Sequence, residues 1–359
     1  MLNILEELVR INSTFPNEQD IGEYLFYALK ERGFEVEKQL VEKNRYNILG
    51  IKGRGNKRKI GFYAHMDTIP VQGNWEKDPF KLKIENNKAI GLGAYDMKAG
   101  ISLILELANS NLDCELKIAF GCDEENNSLG AQKLLEKEFF KGCDLVIVPE
   151  INDSPMQKEG TILLGRRGRI RYEIEVLGQS CHGASGDGVN AITQASKLIL
   201  EIEKMEQTIG KNMQGSQFIS AVNSKAKSLS YPEICNLEVD VHLTNEENEN
   251  IFIQRINKII KELNISANIK IQKREVPYLM PYWTDKNNSE IQKLSKILEN
   301  KFGQVNYSYG KSVADECIIA KMAPVISIGP NGGNAHKKEE WVDIESLENL
   351  KNTLKIYLE

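Results

Sequence analysis

The feature that most constrains this fold is the alternation of two hydrophobic periods through its first half. Leu2, Leu5, Leu8 and Val9 recur at helical spacing, as do Ile21, Tyr24, Leu25 and Leu29, and Gly33 closes that second helix. Strand-like runs follow at Tyr46–Ile51 and Lys59–Ala64. A helix is predicted from about Lys98 to Leu107, then a strand at Leu116–Gly121, a helix at Gly130–Phe139 and a strand at Leu145–Val148. Strands separated by helices predict an α/β sheet with helices on its faces.

The residues able to do chemistry fall just beyond those strands. His65 follows one strand, Asp123-Glu124-Glu125 another, Glu150 a third, and His336 lies past the apolar run Pro324–Ile328. Ligands of open α/β sheets gather outside the carboxyl ends of the strands, so the topology brings these distant residues together. The chain has only four histidines, and imidazole is the commonest protein metal ligand. Positions i and i+2 at a strand end face the same way, which puts Asp67 where it can accept the second ring N–H of His65. Asp96 sits in the glycine-flanked segment Gly93-Ala94-Tyr95-Asp96-Met97-Lys98-Ala99-Gly100. Two imidazoles and three carboxylates exceed what one four-coordinate zinc with an open position needs. They suit two divalent ions sharing one carboxylate, with zinc the first choice and cobalt or manganese alternatives.

The texture changes near Gly165-Arg166-Arg167-Gly168. Tyr172, Ile174 and Val176 alternate with charged residues. A helix over Ala191–Lys204, a strand at Ile234–Leu243, a helix at about Asn250–Leu263 and a strand at Ala267–Gln272 follow. This order predicts a smaller α+β, ferredoxin-like domain over 168–278, inserted into a catalytic domain made of 1–167 and 279–359. Net charge near −5 with interspersed signs gives no basic stripe for nucleic acid. The N-terminus lacks a signal-peptide pattern, and no run approaches the roughly 18 apolar residues of a membrane span. A cytoplasmic protein is expected. Its six scattered cysteines, without a C-x-x-C pair, read as buried thiols rather than a disulfide framework.

Taken in order, the motifs H-M-D-T-I-P (65–70), G-A-Y-D-M-K-A-G, D-E-E, Glu150 after a strand, G-R-R-G, S-C-H-G-A (180–184) and A-H-K (335–337) span nearly the whole chain. The sequence resembles the dinuclear-zinc amidohydrolases and exopeptidases that include acetylornithine deacetylase, succinyl-diaminopimelate desuccinylase, carboxypeptidase G and bacterial di- and tripeptidases. The resemblance implies a zinc-exopeptidase-like catalytic domain, a mixed sheet flanked by helices, with the inserted domain as lid and dimerisation element. It implies His65 and Glu150 on one metal, Glu125 and His336 on the other, Asp96 bridging and Asp67 behind His65. Glu124 would be the general base, and His182 an oxyanion donor, reaching the partner's site in a homodimer. Arg166 would bind a substrate carboxylate, and Gly332 and Gly333 belong to a substrate-facing backbone loop.

The expected activity is hydrolysis of the amide of an N-acyl amino acid, with a dipeptidase or carboxypeptidase as the alternative. A binuclear phosphoesterase lacks support: there is no Asn-His ligand motif and no basic cluster for phosphate. A non-catalytic metal-binding protein fits poorly with the presence of Glu124. Two segments depart from the family pattern. Asp240-Val241-His242 stands where Asp-x-Arg is common, and Gly310-Lys311-Ser312-Val313-Ala314-Asp315 stands where the desuccinylases have Gly-Thr-Ser-Asp.

Overall fold

The run Lys59–His65 forms a strand that is buried from Ile60 to its last residue. Such a continuously apolar strand belongs in the middle of a sheet covered on both faces. A computed structural model of the chain describes residues 1–110, 113–150 and 159–359. Two compact units emerge, Met1–Arg166 with Trp283–Glu359, and Arg167–Tyr282.

The main sheet of the first unit contains β1 (Glu35–Glu42), β2 (Arg45–Lys52), β3 (Lys59–His65), β4 (Glu115–Gly121), β5 (Leu145–Val148), β6 (Thr161–Arg166), β7 (Asn306–Gly310) and β8 (Val325–Ser327). Their order is β1-β2-β4-β3-β5-β8-β6, with β7 parallel to β6. The four central strands β4, β3, β5 and β8 are mutually parallel, while β2 and β6 join them antiparallel. The sheet is therefore mixed, as expected. Helix Gln19–Glu31 packs on β1 and β2, and helix Ala99–Leu107 lies against β3 and the C-terminal helix Ile344–Leu358.

Parallel strands end at the same edge, so Gly121 pairs with His65 and Ser327 with Val148 in register. The loops after β3, β4, β5 and β8 consequently leave from one side of the sheet. A small separate sheet, which the sequence patterns had not signalled, joins Gly332–Gly333, Trp341–Asp343, Lys88–Ile90 and Lys83–Glu85.

The second unit is an antiparallel sheet in the order Ser216–Ser224, Ile234–Leu243, Gly168–Leu177, Ser266–Ile271, with helices Ala191–Lys204 and Glu249–Glu262. Strand, helix, strand, strand, helix, strand in that spatial order is the ferredoxin-like arrangement. Alternate residues Ile170, Tyr172, Ile174 and Val176 face a core shared with Leu198, Ile202, Phe252 and Ile256. The helices begin at asparagines whose side chains accept backbone N–H groups, Asn190 from Ile192 and Asn248 from Asn250. The other face of the sheet carries a charged cluster: Asp240 accepts from Arg169 at 2.9 and 3.0 Å and from Arg171 at 3.1 Å. Burial, with Arg167 and Arg169 adding and Asp240 opposing, holds the nearby His242 imidazole down at about 4. All six cysteines are free, five of them buried and Cys181 half-buried.

Candidate functional site

The last residue of β3 starts the site. His65 is 1% exposed, and its Nδ1 lies 2.9 Å from the main-chain oxygen of Asp67. A carbonyl can only accept, so Nδ1 carries a proton, and Nε2 is the nitrogen left to face the site. That Nε2 stands 3.1 Å from Asp96 Oδ1. The tautomer is thus fixed by the Asp67 backbone, whereas the sequence pattern pointed to the Asp67 carboxylate, which is 3.8 Å away. The carboxylate has another task. It accepts the main-chain N–H groups of Glu124 and Glu125 at 3.2 and 3.0 Å, tying the loop after β4 to the loop after β3.

The loop after β4 is held from its other side as well. Asp123 is buried, receives Arg45 at 3.0 Å and accepts the Leu129 N–H at 3.0 Å. Arg45 also donates from Nε to Glu18 at 2.9 Å. With its backbone pinned at three successive residues, this loop presents Glu124 and Glu125 in a fixed orientation. Burial raises the Glu124 carboxyl well above the usual range. Asp315, Glu150 and Glu125 add to the rise, and His65 opposes it.

Asp96 is reached from the wide turn Ala94–Lys98. His336 Nε2 lies 3.1 Å from Asp96 Oδ2 and 3.2 Å from Glu125 Oε1. The two imidazoles therefore address opposite oxygens of one carboxylate. Burial disfavours the Asp96 anion, but the bonds to His336 and His65 outweigh it and hold the carboxyl well below its ordinary value. One ligand atom each from His65, Asp96 and Glu125 lies within 4.8 Å of the others. His336, whose side chain is 52% exposed, sits on the open side of this group.

Glu150, two residues past β5, is 6% exposed and raised well above its usual value by burial, with Glu316 and Asp96 adding and Arg166 and His65 opposing. Arg166 corrects an expectation. Its side chain is fully buried, with Nε donating to Glu316 at 2.8 Å, Nη1 to Ser312 at 3.1 Å and Nη2 3.3 Å from Glu150. A guanidinium committed to two internal carboxylates does not offer its fork to a substrate anion. Gly332 and Gly333 pair with Val342 and Trp341. A Cβ on Gly332 would lie 2.4 Å from the Tyr95 ring and 2.6 Å from the Trp341 carbonyl oxygen, so this strand is glycine by close packing. His182 belongs to the second unit, where it is exposed and its Nδ1 accepts the Ala184 N–H at 3.2 Å.

Sequence reasoning missed Glu340. Its carboxylate is buried and accepts three main-chain N–H groups, from Gly93, Tyr95 and Asp96, at 2.9, 2.9 and 2.8 Å. It shapes the turn that carries Asp96. The only hint in sequence was an acidic pair, Glu339-Glu340, ahead of an apolar strand. Asp315 was also passed over: buried beneath the site, it accepts the Tyr63 hydroxyl and is pushed up to about 6 by burial.

The sequence model of Peptidase family M20/M25/M40 matches residues 61–359, well over half of the chain. Among curated relatives, an acetylornithine deacetylase of Buchnera aphidicola is 25% identical over 336 residues, covering 88% of this chain and 84% of the relative. A succinyl-diaminopimelate desuccinylase of Rickettsia bellii is 25% identical over 377 residues, covering 96% and 93%. A solved tripeptidase of Staphylococcus aureus superposes with a TM-score of 0.82 at 18% identity, covering 99% of this chain and 96% of that one, which is likeness of fold.

Proposed function

The chain belongs to Peptidase family M20/M25/M40, and from that premise we propose that it is a metal-dependent hydrolase that cleaves the amide of an N-acyl amino acid into a carboxylate and a free amine. The observation that carries the reading is the pair of 3.1 Å approaches by which His65 and His336 address the two oxygens of Asp96. Buried charge must be compensated. With protein groups alone, the carboxylates around the two imidazoles drive both to bind protons, His336 up to about 10 and His65 well above its usual value. A pocket that draws protons so strongly onto histidine is one that a divalent cation would satisfy. Imidazole nitrogen and carboxylate oxygen are the donor set of zinc, with cobalt and manganese as substitutes.

In this reading His65 and Glu150 would hold one ion, His336 and Glu125 the other, and Asp96 would be the ligand they share. When bound, such ions lower the pKa of a water and polarise the amide carbonyl. Glu124 takes the proton of the attacking water and delivers it to the departing amine nitrogen. A carboxylate at the site that is not itself a ligand is free for that double duty. Asp67 and Asp123 keep the Glu124 backbone in place, and Glu340 does the same for Asp96. His182 donates to the oxyanion as the carbonyl carbon becomes tetrahedral, and the Gly332–Gly333 backbone faces the substrate. The second unit serves as lid and as the contact of a homodimer. Exposed Phe218 and Val222 on its edge strand Ser216–Ser224, with Ile192 and Leu200 on helix Ala191–Lys204, supply apolar surface for it. Among the described residues no helix is long and apolar enough to cross a membrane, and the expected setting is the cytoplasm.

The test is a screen of acetyl-, succinyl- and peptidyl-amino acids with the protein loaded with zinc or cobalt. Release of amine from an acyl amino acid is the expected result. Cleavage of peptides alone moves the chain to the dipeptidase or carboxypeptidase alternative, and no hydrolysis of any amide sinks both.

A further inference from the structure

Arg166 closes β6, and Glu150 lies two residues beyond β5. Between these strands runs β8, ending at Ser327. The side chains at the three strand ends form one continuous chain of partners. The Ser327 hydroxyl donates to Glu316 Oε1, the same oxygen accepts Arg166 Nε at 2.8 Å, and Arg166 Nη2 stands 3.3 Å from Glu150 Oε2. Ser312 takes Nη1 at 3.1 Å. Ser327, Glu316 and Arg166 are fully buried, and Glu150 is nearly so.

We propose that Arg166 is a positioning residue: it fixes the Glu150 carboxylate for cation binding, and Glu316 and Ser312 fix Arg166 for that task. The inference rests on the reading of Glu150 as a metal ligand. A guanidinium is planar, so anchoring Nε and Nη1 at two different edges of that plane sets the direction in which Nη2 points. Glu150 has two oxygens. Arg166 takes Oε2 and thereby aims the carboxylate, leaving Oε1 as the oxygen for a cation. A lysine would deliver a charge without that directional plane. A purely structural ion pair would also be buried, but nothing would then tie its loss to the behaviour of Glu150.

The experiment titrates Co²⁺ into the metal-free full-length protein, by calorimetry and by visible absorption, alongside thermal unfolding of each metal-free variant. Arg166→Lys is compared with the double variant Arg166→Met/Glu316→Met, which removes both charges together, because breaking only one side of a buried pair is the damaging change. Wild type is expected to bind two Co²⁺. In both variants one Co²⁺ should bind about 10–100-fold more weakly, the range seen when a ligand's supporting partner is lost. The other should keep its affinity. Glu150→Gln should weaken the same Co²⁺, and adding Arg166→Lys to it should cause no further loss, since the arginine acts through Glu150.

Two wild-type affinities in a cooperatively melting variant overturn the proposal, as do additive losses in the Glu150 cycle. Should the double variant fail to fold, Arg166→Lys and the cycle decide by the same criteria. A wild-type protein that takes up fewer than two Co²⁺ refutes the two-metal reading itself, before any variant is compared.

Discussion

Gly332→Ala tests how closely the Asp96 turn is seated. The added Cβ would lie 2.4 Å from Tyr95 Cδ2 and 2.6 Å from both Tyr95 Cγ and the Trp341 carbonyl oxygen. Carbon atoms rest at about 3.5–4.0 Å, so roughly 1 Å must be found. The carbonyl belongs to the strand paired with Gly332–Gly333 and has little room to move. Tyr95 is 4% exposed, and its own N–H is bound to Glu340, so its retreat drags the neighbouring Asp96. Overpacking of this kind costs about 1–3 kcal/mol. A displacement of about 1 Å at a reacting centre costs about a hundredfold in turnover. Urea unfolding should therefore show a lower midpoint, and metal-saturated kcat/KM should fall by about two orders of magnitude. Gly22→Ala, where the nearest atom is Ile48 Cδ1 at 3.7 Å within a helix, is the control and should be neutral or stabilising by up to about 1 kcal/mol. A Gly332→Ala protein within about 0.5 kcal/mol of wild type, with unreduced activity, would refute the seating argument.

Glu124→Gln should retain both metals in a cobalt titration yet lose about two to four orders of magnitude in turnover; substantial hydrolysis by the loaded variant removes Glu124 from its role. Mixing inactive Glu124→Gln and His182→Ala proteins should restore activity if His182 serves the partner's site, and no recovery after verified subunit exchange counts against action in trans. His242 gives a pH signature independent of metal. Its folded value, about 4, lies below the ordinary 6.5, so the folded state resists a proton that the unfolded chain accepts. Stability is thus full above about 6.5 and is lost as pH falls towards 4, by at most about 3 kcal/mol. His242→Gln should flatten unfolding free energy over that window; identical pH curves for variant and wild type would show that the histidine is not so confined.

Much of the fold could be read in the sequence because its central strands are apolar throughout and bounded by helices of clear period. The gathering of His65, Glu125 and His336 follows from one rule of topology, since parallel strands must release their loops on the same side, whereas Asp96 comes from the turn that Glu340 shapes. What escaped notice obeys no period. Glu340 matters because of three N–H groups in an irregular turn, and a satisfied backbone donor leaves no mark on composition. Arg166 was expected to bind a substrate carboxylate. Only the adjacency of β6, β8 and β5 reveals that Glu316 and Glu150 are waiting for it. The pairing of His65 with a carbonyl rather than a carboxylate is a difference of less than one residue, finer than any spacing argument resolves.

The placement of β8 has a consequence for how the protein is made. β8 comes from residues 325–327, yet it lies between β5 and β6, which precede it by more than 150 residues. A growing chain cannot complete its central sheet until that late segment has emerged. Before then β5 and β6 lack their shared neighbour, and unpaired strand edges invite association with other chains. The stretch from 167 to 282 is uninterrupted and draws its sheet from within itself, so it can condense while the first unit waits. Emergence of this late segment thus closes the sheet and delivers His336, so a polypeptide released before residue 325 would have a finished second unit and an open first one.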